Sequence, residues 1–263
     1  MLIGVVALAA VFGLLIGSFL NVVIARVPDG RSVVRPGSAC PHCGTPISAR
    51  DNIPVLSWIV LRGRSRCCRE PISVRYPLVE AGTAAFFAAV TGWSGVSWLL
   101  PALLYLAAVS VALALIDIEH HRLPNAIVLP SYPVAAALLV LAALTAHEPG
   151  RLVRMTICAL ATYAFYFTLM LIQPRGMGFG DVKLSGILGG YLGWFGWGPA
   201  ITGGFLAFAV GGVAGILLML ARRAGMKTMI PFGPYMLIGA WLGLVYGLGI
   251  SDWYLDRSGL SAL

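Results

Sequence analysis

The sequence predicts an all-α polytopic membrane protein, with about eight transmembrane helices and a small irregular domain inserted after the first. Three observations carry this. Of 263 residues, 59% are apolar and only 11% charged, against about a quarter charged in a soluble domain. Mean hydropathy is +0.89. The basic residues also fall almost entirely into alternate loops. This composition excludes a soluble globular enzyme and a disordered chain, and the 32 Gly and 16 Pro follow no three-residue period.

Leu2 to Ala25 is long enough to cross the hydrocarbon core, which needs about 20 apolar residues. It has no basic head or small-residue cleavage site, so it reads as a retained span rather than a signal peptide. Residues 26–76 are too polar to span and form a basic, Cys-containing cytoplasmic domain. Apolar stretches follow at Pro77–Trp93, Trp98–Ile116, Ala126–Ala146 and Met155–Gln173. Leu184–Ala221 covers about 57 Å at 1.5 Å per residue, enough for two spans, with a turn predicted at Gly196-Trp197-Gly198-Pro199. The last span runs from Phe232 to about Ile250. Residues 77–263 thus form a seven-helix core.

Eight spans put the nine arginines of residues 26–75 on one side with Arg122, Arg175, Lys183, Arg222, Arg223 and Lys227. Arg151, Arg154 and Arg257 fall on the other. The positive-inside rule makes the first side cytoplasmic and leaves both termini outside. The net charge of +8 therefore reads as topology, with no call for nucleic acid. The surplus on the inserted domain suits the anionic lipid surface of the bilayer.

Ionisable residues at membrane depth are costly and mark function by default. Here they are Glu80, Asp117 and Asp181, with Asp181 in Gly176-Met177-Gly178-Phe179-Gly180-Asp181. Asp117 and Asp181 each follow an odd-numbered span, so both lie near the cytoplasmic face. Two carboxylates brought close together share a proton and titrate as a unit, which suits aspartic proteolysis. The residues alone leave other readings open. Asp181 could cap a helix, Asp117 could be a solvated interface group, and Glu80, Asp117 and Asp181 could serve an ion-coupled transporter. Gly176, Gly178 and Gly180 permit positive φ and close backbone approach. Lys183 marks the cytoplasmic boundary or tunes Asp181. Asn21 can hydrogen-bond a neighbouring span or contact substrate. Glu119, His120 and His121 read as interfacial.

Five segments in order resemble the type IV prepilin peptidase family, membrane aspartic proteases of the Gly-x-Gly-Asp type. They are Gly17-Ser18-Phe19-Leu20-Asn21-Val22; Asp51 to Trp58 with Leu61-Arg62-Gly63-Arg64; Ile72 to Glu80; Asp117 with Leu123-Pro124-Asn125; and Gly178 to Leu184. The resemblance implies Asp117 and Asp181 as the catalytic pair; Gly178, Gly180, Glu80 and Lys183 are candidates for support on their own positions, with Glu80 alternatively pairing with Arg75 or orienting the inserted loop. It implies removal of a basic leader from prepilins or pseudopilins, after a Gly, at the cytoplasmic face of the inner membrane. It further implies N-methylation of the new terminus by S-adenosylmethionine, with no cofactor for proteolysis. A preflagellin peptidase is a related alternative, against which the cysteine domain argues.

Cys40-Pro41-His42-Cys43 is a half-site for structural zinc. The family often adds a second Cys-x-x-Cys, but here Ser65 stands at the first position, with Cys67 and Cys68 adjacent. Either Cys67 or His42 could complete the set Cys40, Cys43 and Cys68, or the thiols could stay reduced without a metal. A disulfide is disfavoured in a reducing compartment. No Gly-rich strand–turn–helix marks the S-adenosylmethionine site.

Overall fold

The computed structural model describes residues 2–174, 176–221 and 230–259. The expectations attached to Arg175, Arg222, Arg223 and Lys227 lie outside these. The described residues form helices α1 (Leu2–Arg26), α2 (Leu56–Val60), α3 (Arg75–Ser94), α4 (Leu100–His120), α5 (Asn125–Thr145), α6 (Gly150–Ile172), α7 (Phe179–Phe195), α8 (Trp197–Leu220) and α9 (Gly233–Ser258). Eight of the nine sit where the apolar stretches predict. Six are long and apolar enough to cross a membrane: α1, α4, α5, α6, α8 and α9. The other two fall short for visible reasons. Helix α3 carries Arg75 and Glu80 at one end, and α7 has only 17 residues. The protein is an all-α, multi-pass membrane protein.

The predicted four-residue turn between α7 and α8 is shorter in fact. Only Gly196 breaks the helices, with extended backbone. Trp197, Gly198 and Pro199 already belong to the first turn of α8, where Pro forfeits no helical hydrogen bond.

The chain divides into two compact units, Met1–Ala112 and Leu113–Leu263. In the first, α1 lies against α3. A Cβ on Gly13 or Gly17 would come within 2.7 Å of Cα of Ala84 or Glu80, so only glycine permits this approach. Asn21 Nδ2 donates to Tyr76 O at 3.1 Å, the bond to a neighbouring span that is one of the two readings of its position. The intervening loop is held by Arg26, whose guanidinium donates to the carbonyls of Ser32 (3.1 Å), Pro36 (2.7 Å) and Gly37 (3.3 Å).

The second unit is built around α7, which packs on α5, α6, α8 and α9. Thirteen of its 17 residues are buried, so its environment is protein rather than lipid. That explains how a short, glycine-rich helix with a carboxylate is tolerated. Its last carbonyls, Gly193 O and Trp194 O, accept from Arg154 at 2.7 and 2.9 Å. Helices α8 and α9 meet through Gly203 and Gly243, and a Cβ added to Gly243 would lie 2.6 Å from Gly203 Cα.

Candidate active site

Asp117 lies in the last turn of α4 and is 4% exposed. Its Oδ2 accepts from the backbone N–H of Gly233, the first residue of α9, at 3.0 Å. Asp181 is the third residue of α7 and 9% exposed. Its Oδ2 accepts from the N–H of Gly178, just before that helix, at 3.0 Å. Each carboxylate therefore occupies the N-terminus of a helix, where unpaired N–H groups and the helix dipole favour negative charge. Asp181 is not itself the N-cap residue; it reaches back to the N-cap position from inside the first turn.

The two sites converge on Leu123. A Cβ added to Gly180, the neighbour of Asp181, would lie 3.0 Å from Leu123 Cβ. One added to Gly233 would lie 3.3 Å from Leu123 Cδ2 and 2.8 Å from Asp117 Oδ2. The two carboxylates are near enough to interact electrostatically.

The glycines do not act as their conformational freedom predicts. Gly178 has φ −78°, and neither it, Gly176 nor Gly180 is among the glycines of positive φ. What Gly180 supplies is room for Leu123. Lys183 also has a role the sequence left undecided. Its Nζ donates to Asn125 Oδ1 at 2.9 Å and lies 4.5 Å from the centre of the Phe179 ring. It thus ties the start of α5 to the first turns of α7. Tyr132 adds a second tie, its hydroxyl donating to Lys183 O at 2.6 Å. Glu119, His120 and His121 are exposed, as expected.

Sequence reasoning missed Gly233, Leu123 as a packing element, and Tyr132. Gly233-Pro234 at the head of the last apolar stretch was the available signal, since Pro favours the first turn of a helix.

In the first unit, Glu80 is buried and orients the inserted loop. Its Oε2 accepts from Val55 N–H at 2.7 Å, and Ser18 of α1 also bonds it. Four thiols, Cys40, Cys43, Cys67 and Cys68, have Sγ atoms all within 4.8 Å of one another. They come from two hairpins of the same pattern. Antiparallel bridges join Ala39 to Pro46 and Arg64 to Pro71. Cys40 N donates to Thr45 O at 2.9 Å, and Ser65 N to Glu70 O at 2.8 Å. Gly44 and Arg69 have φ of 71° and 61° at matching positions. Ser65 therefore stands where Cys40 stands in the first hairpin, with Oγ 3.1 Å from Cys68 Sγ. Cys67 supplies the fourth sulfur; His42 is not in the group. The Sγ separations of 3.2 Å (Cys43–Cys67), 3.6 Å (Cys40–Cys68) and 3.9 Å (Cys67–Cys68) bracket the ~3.8 Å expected between thiolates on a tetrahedral zinc. All four cysteines are free of disulfides.

Residues 11–93 match the family model of the Bacterial Peptidase A24 N-terminal domain, and residues 104–220 that of the Type IV leader peptidase family. A prepilin leader peptidase/N-methyltransferase of Aeromonas hydrophila is 39% identical, covering 95% of this chain and 94% of its own length. Proteins of the same name from Stutzerimonas stutzeri (36%, 94% and 93%) and Pseudomonas aeruginosa (34%, 94% and 92%) also match. The chain belongs to the prepilin leader peptidase/N-methyltransferase family. No solved structure matches it. Within this family, Asp117 and Asp181 lie at residues the peptidase model covers and the thiol cluster at residues the N-terminal model covers. The transporter reading gains nothing from these matches.

Proposed function

We propose that this membrane peptidase removes the basic leader of type IV prepilins or pseudopilins, cutting after a Gly at the cytoplasmic face of the inner membrane with Asp117 and Asp181. The observation that carries this is the convergence of the two buried carboxylates on Leu123, each with one oxygen held by a backbone N–H at a helix start. With Oδ2 engaged in both, Oδ1 of each is left for the reaction. One carboxylate, ionised, takes a proton from the attacking water; the other, protonated, donates to the scissile carbonyl oxygen. As the tetrahedral adduct collapses, the proton passes to the departing amine. The substrate's apolar segment stays among the helices and must unwind locally, because a helical peptide bond is shielded from attack.

The distribution of basic residues supports an orientation with the inserted domain and both carboxylates on the cytoplasmic side and both termini outside. Cys40, Cys43, Cys67 and Cys68 would hold a structural zinc ion, which would join the two hairpins of the domain. S-adenosylmethionine, when bound, supplies an electrophilic methyl group to the new N-terminal amine. Both carboxylates of the cleavage reaction thus lie within residues 113–263.

The test is incubation of the purified protein with a prepilin, with and without S-adenosylmethionine, followed by mass spectrometry of the product's N-terminus. A terminus beginning after the leader Gly, 14 Da heavier when the methyl donor is present, is expected. Intact prepilin in both arms would overturn the peptidase reading; cleaved but unmethylated product in both would overturn the methyltransferase reading alone.

A further inference from the structure

We infer that Tyr166 of α6 is a substrate-binding residue, whose hydroxyl donates to a backbone carbonyl of the segment that unwinds beside Asp181. This deepens the peptidase reading and rests on it. Tyr166 lines a small crevice with Thr162, Ser185, Ala207 and Met236, where α6, α7, α8 and α9 meet. Two of these residues tie the crevice to the carboxylates. Ser185 follows Asp181 by four residues on α7, and Met236 follows Gly233, the backbone donor to Asp117, by three on α9. Such spacings put the members of each pair on one helix face, so the crevice lies one turn beyond both carboxylates. The Tyr166 ring stacks on Phe208 (centroids 5.5 Å apart, 29° between planes) and packs at 6.4 Å against Phe232, the residue before Gly233. Its hydroxyl is near enough to Asp181 to interact with it electrostatically.

Tyr166 is only 2% exposed, yet among the described residues its hydroxyl donates to nothing. A buried tyrosine hydroxyl ordinarily finds a partner, and leaving it without one is costly. The other two hydroxyls of the crevice are committed: Thr162 donates to Cys158 O at 2.5 Å and Ser185 to Val182 O at 2.8 Å. Tyr166 thus brings the free proton, and what it fits is an acceptor. The free volume, about 10 Å³, is close to the least that one water-sized atom needs, so it suits a lone oxygen and excludes a side chain. The substrate supplies such oxygens as it reacts. Cleavage needs local unwinding, and unwinding strips backbone carbonyls of their helical partners where water is scarce. A hydroxyl poised one turn from Asp181 offsets part of that cost. Because the carbonyl is uncovered only in unwound substrate, the bond assists the reaction more than the initial binding.

The experiment measures steady-state cleavage, by the full-length protein in detergent, of a peptide spanning a prepilin leader and the start of its apolar helix. Tyr166→Phe keeps the ring and its stacking, so the thermal midpoint should match the wild type. Its kcat should fall about tenfold or more, with KM changed less than about twofold. A second series replaces single amides on either side of the cleaved Gly by esters, whose carbonyls accept more weakly. One ester away from the scissile bond should slow the wild type several-fold, and the same ester should make no further difference to Tyr166→Phe. Wild-type kcat in Tyr166→Phe would overturn the inference and leave the peptidase reading intact. So would esters that slow both proteins equally, which would mark Tyr166 as a support of the fold or of a bound water. So would a wild type indifferent to every such ester, a result that needs no variant. No cleavage by the wild type would overturn the peptidase reading and this inference together.

Discussion

The two chemically active clusters of this peptidase are positioned in opposite ways. In residues 113–263 the carboxylates sit on helix ends, and each takes a backbone N–H from the start of a helix. In residues 1–112 the thiols sit on short hairpins outside any helix, aligned by a handful of turn hydrogen bonds. The first arrangement holds its geometry through buried helix packing. The second has little buried packing, and a metal held by its four thiols would supply the cross-link between loops that a small domain with little core lacks. Damage to one region should therefore read out as lost chemistry, and damage to the other as lost local order.

The largest effect expected is on the carboxylates. Asp117→Asn and Asp181→Asn should each lower leader cleavage at least about a thousandfold, because a neutral amide cannot cycle a proton. Metal content measured on the same samples should match the wild type. Cleavage above a tenth of wild type in either variant would break the contrast.

Gly233→Ala should come next. Its Cβ would lie 2.8 Å from Asp117 Oδ2, so the carboxylate must move. A shift of about 1 Å costs on the order of a hundredfold in rate. Rates near wild type would show that Asp117 does not need its backbone donor.

The metal region sharpens the comparison from the other side. Cys67→Ser should reduce zinc retained after dialysis at least about tenfold, and adding Ser65→Cys to it should restore the metal, since Ser65 stands where the first hairpin has Cys40. Cobalt substituted for zinc should show four-thiolate charge-transfer bands in the wild type. Retention should fall with acidification, because thiolate ligands must give up the metal as they are protonated. Full zinc in Cys67→Ser would remove Cys67 from the ligand set.

The smallest effect concerns Asp51, whose carboxyl is held below its ordinary range chiefly by hydrogen bonds from Arg66, at 2.9–3.0 Å. A lowered folded value means the pair stabilises above the unfolded carboxyl's titration near pH ~3.9. That contribution fades as pH falls through the folded value. Arg66→Ala should therefore lower the thermal midpoint slightly at neutral pH and not at acid pH, small because the arginine is exposed. An equal decrement at both would contradict the assignment.

Much of this was legible in the sequence, for physical reasons. Hydropathy encodes burial in lipid or protein, so all eight long helices lie where the apolar stretches fall, including the break at Gly196. A carboxylate in such a stretch is conspicuous, so Asp117 and Asp181 stood out. Cys40 and Cys43 were visible through spacing, and the displaced Ser65 only through the second Cys-x-x-Cys that the resembling family carries. What was hidden is what backbone supplies. Gly233 N–H reaches Asp117 across 116 residues, and no side chain marks it as a donor. Tyr132 reads as an ordinary aromatic of a span until its hydroxyl is seen on Lys183 O. The loop after α1 is wrapped around Arg26, and neither composition nor periodicity encodes that path.

The central claim is that Asp117 and Asp181 meet at one reacting bond. An Asp117→Cys, Asp181→Cys double variant, treated in membranes with a short bifunctional thiol reagent and digested for mass spectrometry, measures this directly. The account predicts a cross-linked peptide pair joining positions 117 and 181. Labelling of both positions with only separate single adducts would contradict it.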